Sequence, residues 1–300
     1  MKKPRRRLPK YLVIFTAFLL CSRLPAQIYA LPEGKEFVDA QLFNPNFIRK
    51  NRIARIASKI EKKKDGDRIR DLFQSEIYSF YESGHLQSVE LIDYKSGDTT
   101  LTYYTYNDEE KIRCLVKNDY AGLFSYCYTY KDGLPSKVIY SRSGSVKALT
   151  ASVNPEFKKE ISEENIEHIE FENQLHTTYF NSVNRPYSKE IRYYDENGYY
   201  IKYLKTFVMT SSSQKEEYSY NKKGYLSEKV VTENGNKAYR HTYEYDDVGN
   251  LLAENRYQNG ELVYRTENVL FPESMLLKAR LTRNENAAHI VIRTFEYWYR

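Results

Sequence analysis

The stretch YSYNKKGYLSEKVVTENGNKAYRHTYEYDDVGNLLAENRYQNGELVYRTE, residues 218–267, carries one pattern twice. Both copies have the form Tyr-x-Tyr-Asx-x-x-Gly-x-Leu, and each is followed by an Asn-Gly pair, at 234–235 and 259–260. Self-similarity at a fixed spacing is typical of repeat architectures. The residues that fill the pattern are Tyr218, Tyr220, Asn221, Gly224 and Leu226 in the first copy and Tyr243, Tyr245, Asp246, Gly249 and Leu251 in the second.

Each period indicates a β-hairpin. Tyr239, His241, Tyr243 and Tyr245 occupy alternate positions, so a strand would carry all four on one face. The Asn-Gly pair at 259–260 is a strong hairpin signal because both central positions of its turn need positive φ. The sequence therefore predicts a continuous meander of antiparallel hairpins.

An aromatic residue just before one turn of each hairpin marks the period along the chain. These repeat anchors, to which we assign a structural role, are Phe80, Tyr106, Tyr130, Phe171, Tyr194, Tyr220, Tyr245, Phe271 and Tyr297. Most steps between them are close to 25 residues, and one step, from Tyr130 to Phe171, is 41. The hairpin repeats are therefore predicted to span 76–300.

The long step indicates an insertion near 144–165. Asn154 followed by Pro155 is typical of a helix start, and Phe157 and Ile161 would then share one face of the helix. A short helix is the first interpretation, and a disordered loop is the alternative because the segment is highly charged.

The first thirty residues are predicted to be a secretory signal peptide. A basic head is followed by the apolar run at 11–21, which is too short for a membrane-spanning helix but suits an export signal. Cleavage is expected after Ala30, with Ala26 as the second choice, and a lipid anchor at Cys21 is a minor alternative. The protein is therefore expected to be exported, to the periplasm, the cell surface or the medium of a bacterium.

Removing this segment changes the charge. The full chain carries +6, but 1–30 holds seven basic residues and no acids, so about −1 remains. The basic pI is therefore no evidence for nucleic-acid binding.

The chain contains thirty Tyr, fourteen Phe and one Trp. This composition is typical of half-buried strands in which the tyrosine hydroxyls contact water.

The segment 31–75 differs from the repeats and is predicted to be a basic helical cap or linker. Ile53, Ile56, Ala57 and Ile60 form a helical stripe. A helix covering the edge of the first strand is the preferred interpretation. The alternative is a basic helix over 49–70 that contacts an anionic membrane surface.

Two cysteines remain in the mature chain. A two-residue turn at Tyr120-Ala121 would place Cys114 directly opposite Cys127. In an exported protein such a pair is a disulfide candidate, and two half-buried thiols are the alternative.

The motif filled by Tyr243, Tyr245, Asp246, Gly249 and Leu251 resembles the YD repeats of Rhs and wall-associated proteins. The repeat spacing extends over 76–300, but the match in residue identity is clearest at 190–267. It implies an all-β spiral of hairpins at the envelope or cell surface, with a role in binding or encapsulation and no active site in the repeats.

No catalytic, phosphate-binding or metal-binding motif occurs, so we expect no enzyme activity, no cofactor and no metal. His168 and His176 would lie on either side of a predicted hairpin turn, and a metal site between them is the alternative hypothesis. Exposed rings could stack on sugars, and the candidates outside the anchors are Tyr199, Tyr200, Tyr203, Tyr239 and Tyr257.

The expected fold is all-β: tandem hairpins of about 25 residues in a twisted or curled meander sheet, with a short helical N-terminal cap. The expected function is an exported, non-enzymatic envelope repeat protein that binds glycan or another envelope protein, or serves as a scaffold. An outer-membrane β-barrel is the alternative, opposed by the Lys, Glu and Arg on the outward faces. A secreted hydrolase has no specific support.

Overall fold

The computed structural model describes residues 28, 43–119, 122–143, 159–287 and 289–300. A short helix, α1, covers Pro45–Lys50. The strands are Ile53–Lys64 (β1), Arg70–Phe80 (β2), Leu86–Asp93 (β3), Asp98–Tyr106 (β4), Ile112–Asp119 (β5), Gly122–Lys131 (β6), Leu134–Ser143 (β7), Lys159–Phe171 (β8), Gln174–Phe180 (β9), Pro186–Tyr194 (β10), Tyr200–Phe207 (β11), Ser213–Tyr220 (β12), Leu226–Glu233 (β13), Asn236–Tyr245 (β14), Leu251–Gln258 (β15), Glu261–Leu270 (β16), Leu277–Asn284 (β17) and His289–Tyr299 (β18).

These 18 strands form one closed antiparallel barrel. Each strand pairs with the next along the chain, and β1 pairs with both β2 and β18. Ile56 accordingly lies opposite Tyr78 on one side and Tyr297 on the other. The expectation of a twisted or curled meander sheet with a helical cap is therefore wrong, because the last strand returns to the first and leaves no open edge.

Closure also corrects the resemblance to YD-repeat proteins, since the chain is a single closed barrel and not an open spiral of hairpins. The local motif describes a hairpin with a tyrosine before its turn. Many hairpin arrays need that arrangement, so it does not define a family.

The predicted cap helix is wrong as well. Residues 53–64 form β1, in which Ile56 and Ile60 lie on one face and Ala57 lies on the other. Spacings of three and four residues suggested a helix, but Ile56 and Ile60 also satisfy the period of two, and isoleucine favours strands. The basic segment 49–70 is therefore not an amphipathic helix; only its first residues belong to α1.

Several predictions concern residues that the structure does not describe. Apart from Ile28, the signal peptide predicted over 1–30 lies outside the described residues, as does most of the insertion at 144–165. The last part of that insertion is described: Ile161 belongs to β8 and therefore to a strand.

The wall of the barrel has two distinct faces. We call the face that carries Ile56, Tyr78 and Tyr297 the inner wall and the opposite face the outer wall. Ion pairs distinguish them: on the inner wall the side chains of Arg192 and Glu190 are 9% and 6% exposed, whereas Arg240 and Glu228 on the outer wall are each 36% exposed. A concave surface crowds its side chains, and the apolar cluster formed with Phe43 and α1 covers Ile56 and Tyr78 on this same face, so we assign the inner wall to the lumen.

The anchor residues lie at one end of the barrel, which we call the anchor rim. Five anchor hydroxyls donate hydrogen bonds of 2.6–2.8 Å to a backbone carbonyl about 20 residues earlier, one hairpin back: Tyr106 to Leu86, Tyr130 to Ile112, Tyr220 to Tyr200, Tyr245 to Leu226 and Tyr297 to Leu277. The anchors therefore join neighbouring hairpins. Of the other four, Phe80 is buried, Tyr194 packs on Tyr200, Phe271 packs on the core and Phe171 is half exposed.

The main apolar core lies at the anchor rim. Asn44 caps α1, and the helix buries Phe47 and Ile48. Just before the helix, the ring of Phe43 meets Tyr78 and Phe80 edge-on, with centroids 4.9 and 5.2 Å apart. The segment 43–50 therefore packs on the inner wall at this end of the barrel.

Gly249 shows how tightly the turns of the anchor rim pack. The residue has φ +99°, and a Cβ there would lie 2.6 Å from Cζ of Tyr225. We expect Gly249→Val to lower the free energy of unfolding by about 3 kcal/mol, because backbone strain and overpacking add. Gly235→Val is the matched control: its φ is +82° with nothing within 4 Å of a new Cβ, so about 1 kcal/mol is expected. Equal losses of thermal stability in the two variants would rule out the contact with Tyr225.

Candidate functional site: the charged lumen

The lumen of the barrel is not filled by side chains. Leu91, Tyr126 and Tyr264 lie on the inner wall, yet 45%, 42% and 37% of their surfaces are exposed. Large inward side chains in a packed core would be buried. The lumen therefore has room for water next to these residues.

The first polar cluster of the inner wall centres on Glu190 of β10. Its carboxylate accepts a hydrogen bond of 3.1 Å from the hydroxyl of Tyr179 and lies 3.0 Å from Nζ of Lys205. A guanidinium nitrogen of Arg192 lies 3.6 Å away. Both Glu190 and Arg192 are almost fully buried, so this ion pair is shielded from bulk solvent.

A second cluster crosses β12 to β17. The hydroxyl of Tyr218 donates a hydrogen bond to Glu216, and Nζ of Lys229 lies 3.9 Å from the same carboxylate. Further around the wall, Nδ1 of His241 lies 2.9 Å from Glu254. The ring centroids of Tyr200 and Tyr218 are 4.8 Å apart, so the two clusters adjoin.

Burial keeps the inner tyrosines protonated. Desolvation raises the pKa of Tyr203 and Tyr218 far above the ordinary value of 10.0, and the charges of Glu190 and Glu216 raise the two values further. These hydroxyls are therefore hydrogen-bond donors at any physiological pH, which suits them to carboxylate partners.

The pKa of Glu254 is shifted in the opposite direction, below its ordinary value. Burial by itself would raise the pKa of this carboxyl group, and the hydrogen bond and charge of His241 oppose burial. The nearby charges of Arg280 and Lys229 act in the same sense, so the pKa lies below 4.5. The Glu254 carboxylate is therefore ionised in the folded protein at neutral pH.

This lowered pKa predicts a pH dependence of stability. A carboxyl group whose pKa is lower in the folded state stabilises the fold above its unfolded pKa, and that contribution disappears as pH falls through the folded pKa. We expect the thermal midpoint of the native chain to fall more steeply than that of Glu254→Gln between about pH 6 and about pH 3. Thermal scans across this range test it, and parallel curves for the two proteins would contradict it.

The five tyrosines suggested as ligand rings do not form one site. Tyr200 is buried, and Tyr203 lies beside it on the inner wall near Glu190. Tyr199 lies in an anchor-rim turn and packs on Tyr220. Tyr239 stacks on Arg256 of the inner wall, whereas Tyr257 lies on the outer wall and stacks on Arg240. The expected carbohydrate-binding surface is therefore wrong, because the rings pack on wall residues and point in different directions.

The two histidines of the metal hypothesis lie on opposite faces. His168 pairs across the hairpin with Thr177, and His176 pairs with Ile169. Both ring nitrogens of His168 have partners, at 3.0 Å from Thr177 Oγ1 and 2.7 Å from the carbonyl of Pro135. No group of three metal-ligating side chains occurs within the described ranges.

Cys114 and Cys127 lie on the outer wall at directly paired positions of β5 and β6. Their sulfurs form a disulfide, and their Cα atoms are 4.1 Å apart.

In the part of the chain that the structure describes, no helix is long and apolar enough to cross a membrane.

Sequence reasoning missed the lumen charges although the signal was present. In β10 and β12, Glu190, Arg192, Glu216 and Tyr218 occupy positions an even number of residues before an anchor. Side chains at such positions share the anchor's face of the strand. Charged residues in step with the anchors are therefore predicted to face inward.

No protein-family model matches the sequence, and no curated protein matches it. Among solved structures, the chain is similar to a porin-like protein from Bacteroides uniformis, with a TM-score of 0.38 and 7% identity over 82% of this chain and 98% of that one. A porin-like protein from Bacteroides vulgatus gives 0.33 and 11% identity over 80% and 97%. A LolA superfamily protein from Nitrosomonas europaea gives 0.18 and 8% over 85% and 91%. At these scores and identities, the likenesses establish neither a family nor a function for this chain.

Proposed function

We propose that the chain is an exported, non-enzymatic β-barrel of the bacterial cell envelope whose hydrated lumen holds or passes polar solutes. The observation that carries this proposal is the pairing of β1 with β18, which closes the wall around an inner face lined with ion pairs. The basic, apolar leader at 1–30 supports export.

The charged residues of the outer wall help to decide whether the barrel lies in a membrane or in an aqueous compartment of the envelope. A barrel in a bilayer needs an apolar outer band about 25 Å tall, and each outward Arg or Lys at the midplane costs about 2–4 kcal/mol. Arg240 and Arg265 lie in the middle of their strands and form outward ion pairs with Glu228 and Glu244. We therefore propose an aqueous compartment of the envelope, the periplasm.

An outer-membrane barrel is the second candidate. It is favoured by one specific observation, the closure of an even number of antiparallel strands into a single-chain barrel, which is the arrangement of bacterial outer-membrane barrels. In that case the outward pairs of Arg240 and Arg265 would have to lie above or below the hydrocarbon layer.

Fractionation of the host cell separates the two candidates. We expect the protein in the periplasmic fraction without detergent, with a mature N-terminus following Ala30, and with no heat-dependent shift in gel mobility. Recovery only in detergent extracts, together with a mobility shift on boiling, would favour the outer-membrane barrel and overturn the periplasmic proposal.

Thiol labelling tests the hydrated lumen itself. Leu91→Cys places a thiol on an exposed part of the inner wall, and Thr177→Cys places one at an inner-wall position that is 1% exposed. We expect a small charged thiol reagent to modify the first variant within minutes and to leave the second unmodified in the folded protein. An unreactive thiol at position 91 would contradict a water-filled lumen.

A further inference from the structure

Arg256 of β15 differs from the other arginines of the inner wall. It faces the lumen beside Tyr264, its paired residue on β16, and its guanidinium lies 3.8 Å from the ring centroid of Tyr239 and 5.7 Å from that of Tyr264. Two aromatic rings therefore hold the guanidinium, and none of its nitrogens donates a hydrogen bond to a described residue.

Neighbouring cations of the inner wall have carboxylate partners. Lys205 and Arg192 share Glu190, Lys229 pairs with Glu216, Arg280 with Glu254 and Arg293 with Glu76, all within 4.0 Å. Among the described residues no carboxylate lies within that distance of Arg256, and its Nε is buried without a hydrogen-bond partner. A charged donor in this state is costly unless another group satisfies it.

The surroundings of Arg256 favour a negatively charged partner for its guanidinium. His241 is its paired residue on β14, and Asn284, which donates a 3.2 Å hydrogen bond to the hydroxyl of Tyr264, lies two strands away in the same row. His241 and Asn284 bring donors. The inward carboxylate of Glu254, two residues before Arg256 on β15, is taken up by His241 at 2.9 Å and by Arg280 at 3.9 Å. Tyr264 is 37% exposed, so the site is open to the lumen on that side.

We propose that Arg256 binds an oxyanion, the carboxylate or phosphate group of a small solute, inside the lumen. A planar guanidinium matches two oxygens of such a group with parallel hydrogen bonds, which a lysine ammonium cannot reproduce. Stacking on Tyr239 fixes the plane in advance and lowers the entropy lost on binding. The inference rests on the proposed hydrated lumen and adds the class of ligand.

The test is isothermal titration of the purified full barrel with inorganic phosphate and, separately, with acetate. We expect saturable binding of at least one of them to the native chain, a loss of at least tenfold in affinity in Arg256→Gln, and an intermediate loss in Arg256→Lys. Arg240→Gln is the matched control, because Arg240 also stacks on a tyrosine, Tyr257 at 4.3 Å, but has the carboxylate of Glu228 and faces outward. Its binding is expected to be unchanged.

Three outcomes contradict the inference: no binding to the native chain, equal binding by Arg256→Gln, or equal losses in Arg256→Gln and Arg240→Gln. Circular dichroism must first show that the variants are folded, and if Arg256→Gln is not, Arg256→Lys decides, with unchanged affinity counting against the site. Labelling of the Leu91→Cys variant distinguishes a failure of the oxyanion site from a failure of the hydrated lumen. A reactive thiol without Arg256-dependent binding overturns only the oxyanion site, whereas an unreactive thiol overturns the hydrated lumen as well.

Discussion

Glu190→Gln is expected to lower the free energy of unfolding by about 3–5 kcal/mol, the usual cost of removing one partner from a buried ion pair. The substitution keeps the shape of the side chain and removes only its charge. It removes the negative charge that faces the guanidinium of Arg192, whose side chain is 9% exposed, and the ammonium of Lys205. In a chain of this size the loss corresponds to a fall in thermal midpoint of roughly 6–20 °C, measured by circular dichroism.

The outer wall supplies the matched control for this experiment. Glu228→Gln removes the same charge from a pair with Arg240 in which both side chains are 36% exposed. Exposed pairs contribute about 0–1 kcal/mol because water and salt screen them. A drop of similar size in both variants would show that Glu190 is not enclosed, and the assignment of the inner wall would then fail.

The local structure of this chain was largely predictable from its sequence. Period-two alternation, Asn-Gly pairs and an aromatic residue before one turn of each hairpin predict hairpins, and Tyr220 and Tyr245 do end strands that lead into five-residue turns. Both parts of this signal are local, since alternation sets which face a side chain occupies and turn chemistry sets where strands end.

Closure was not predictable in the same way. It depends on the pairing of β1 with β18, where Ile56 meets Tyr297 across nearly the whole length of the chain. An open meander and a closed barrel have the same local pattern, because only the first and last strands differ in their partners. The misassignment of 53–64 as a helix removed one of those two strands from the prediction and so hid the closure.

The candidate site was predictable only in part. Tyr203 and Tyr239 were singled out as rings, and both lie on the inner wall. The charged residues between them, such as Glu190 and Arg256, look like ordinary surface residues in a polar chain. Their role follows from the curvature of the sheet, which turns one of two equally polar faces inward. Even spacing from an anchor shows that Glu190 shares the anchor's face, but only closure of the sheet shows that this face is the inner one.

Loss of the disulfide is the second large effect we expect. Cys114 and Cys127 close a segment of 13 residues across the β5–β6 hairpin. In the chain-entropy account, a crosslink over a loop of this length stabilises the folded state by about 3 kcal/mol, because the unfolded chain loses conformations that the folded chain never had. The double variant Cys114→Ser, Cys127→Ser should therefore unfold at a midpoint roughly 6–12 °C lower.

Two further measurements make this expectation specific to the bond. The unreduced mature chain should show no free thiol under denaturing conditions, and treatment with a reductant should lower its midpoint to that of the double serine variant while leaving that variant unchanged. Free thiols in protein purified from the periplasm, with a midpoint insensitive to reductant, would mean that the two cysteines are paired in position without being joined. The stability of the β5–β6 hairpin would then rest on its hydrogen bonds and on the closed wall around it, and removing the thiols should cost less than about 1 kcal/mol, as for other partly buried small side chains away from a core.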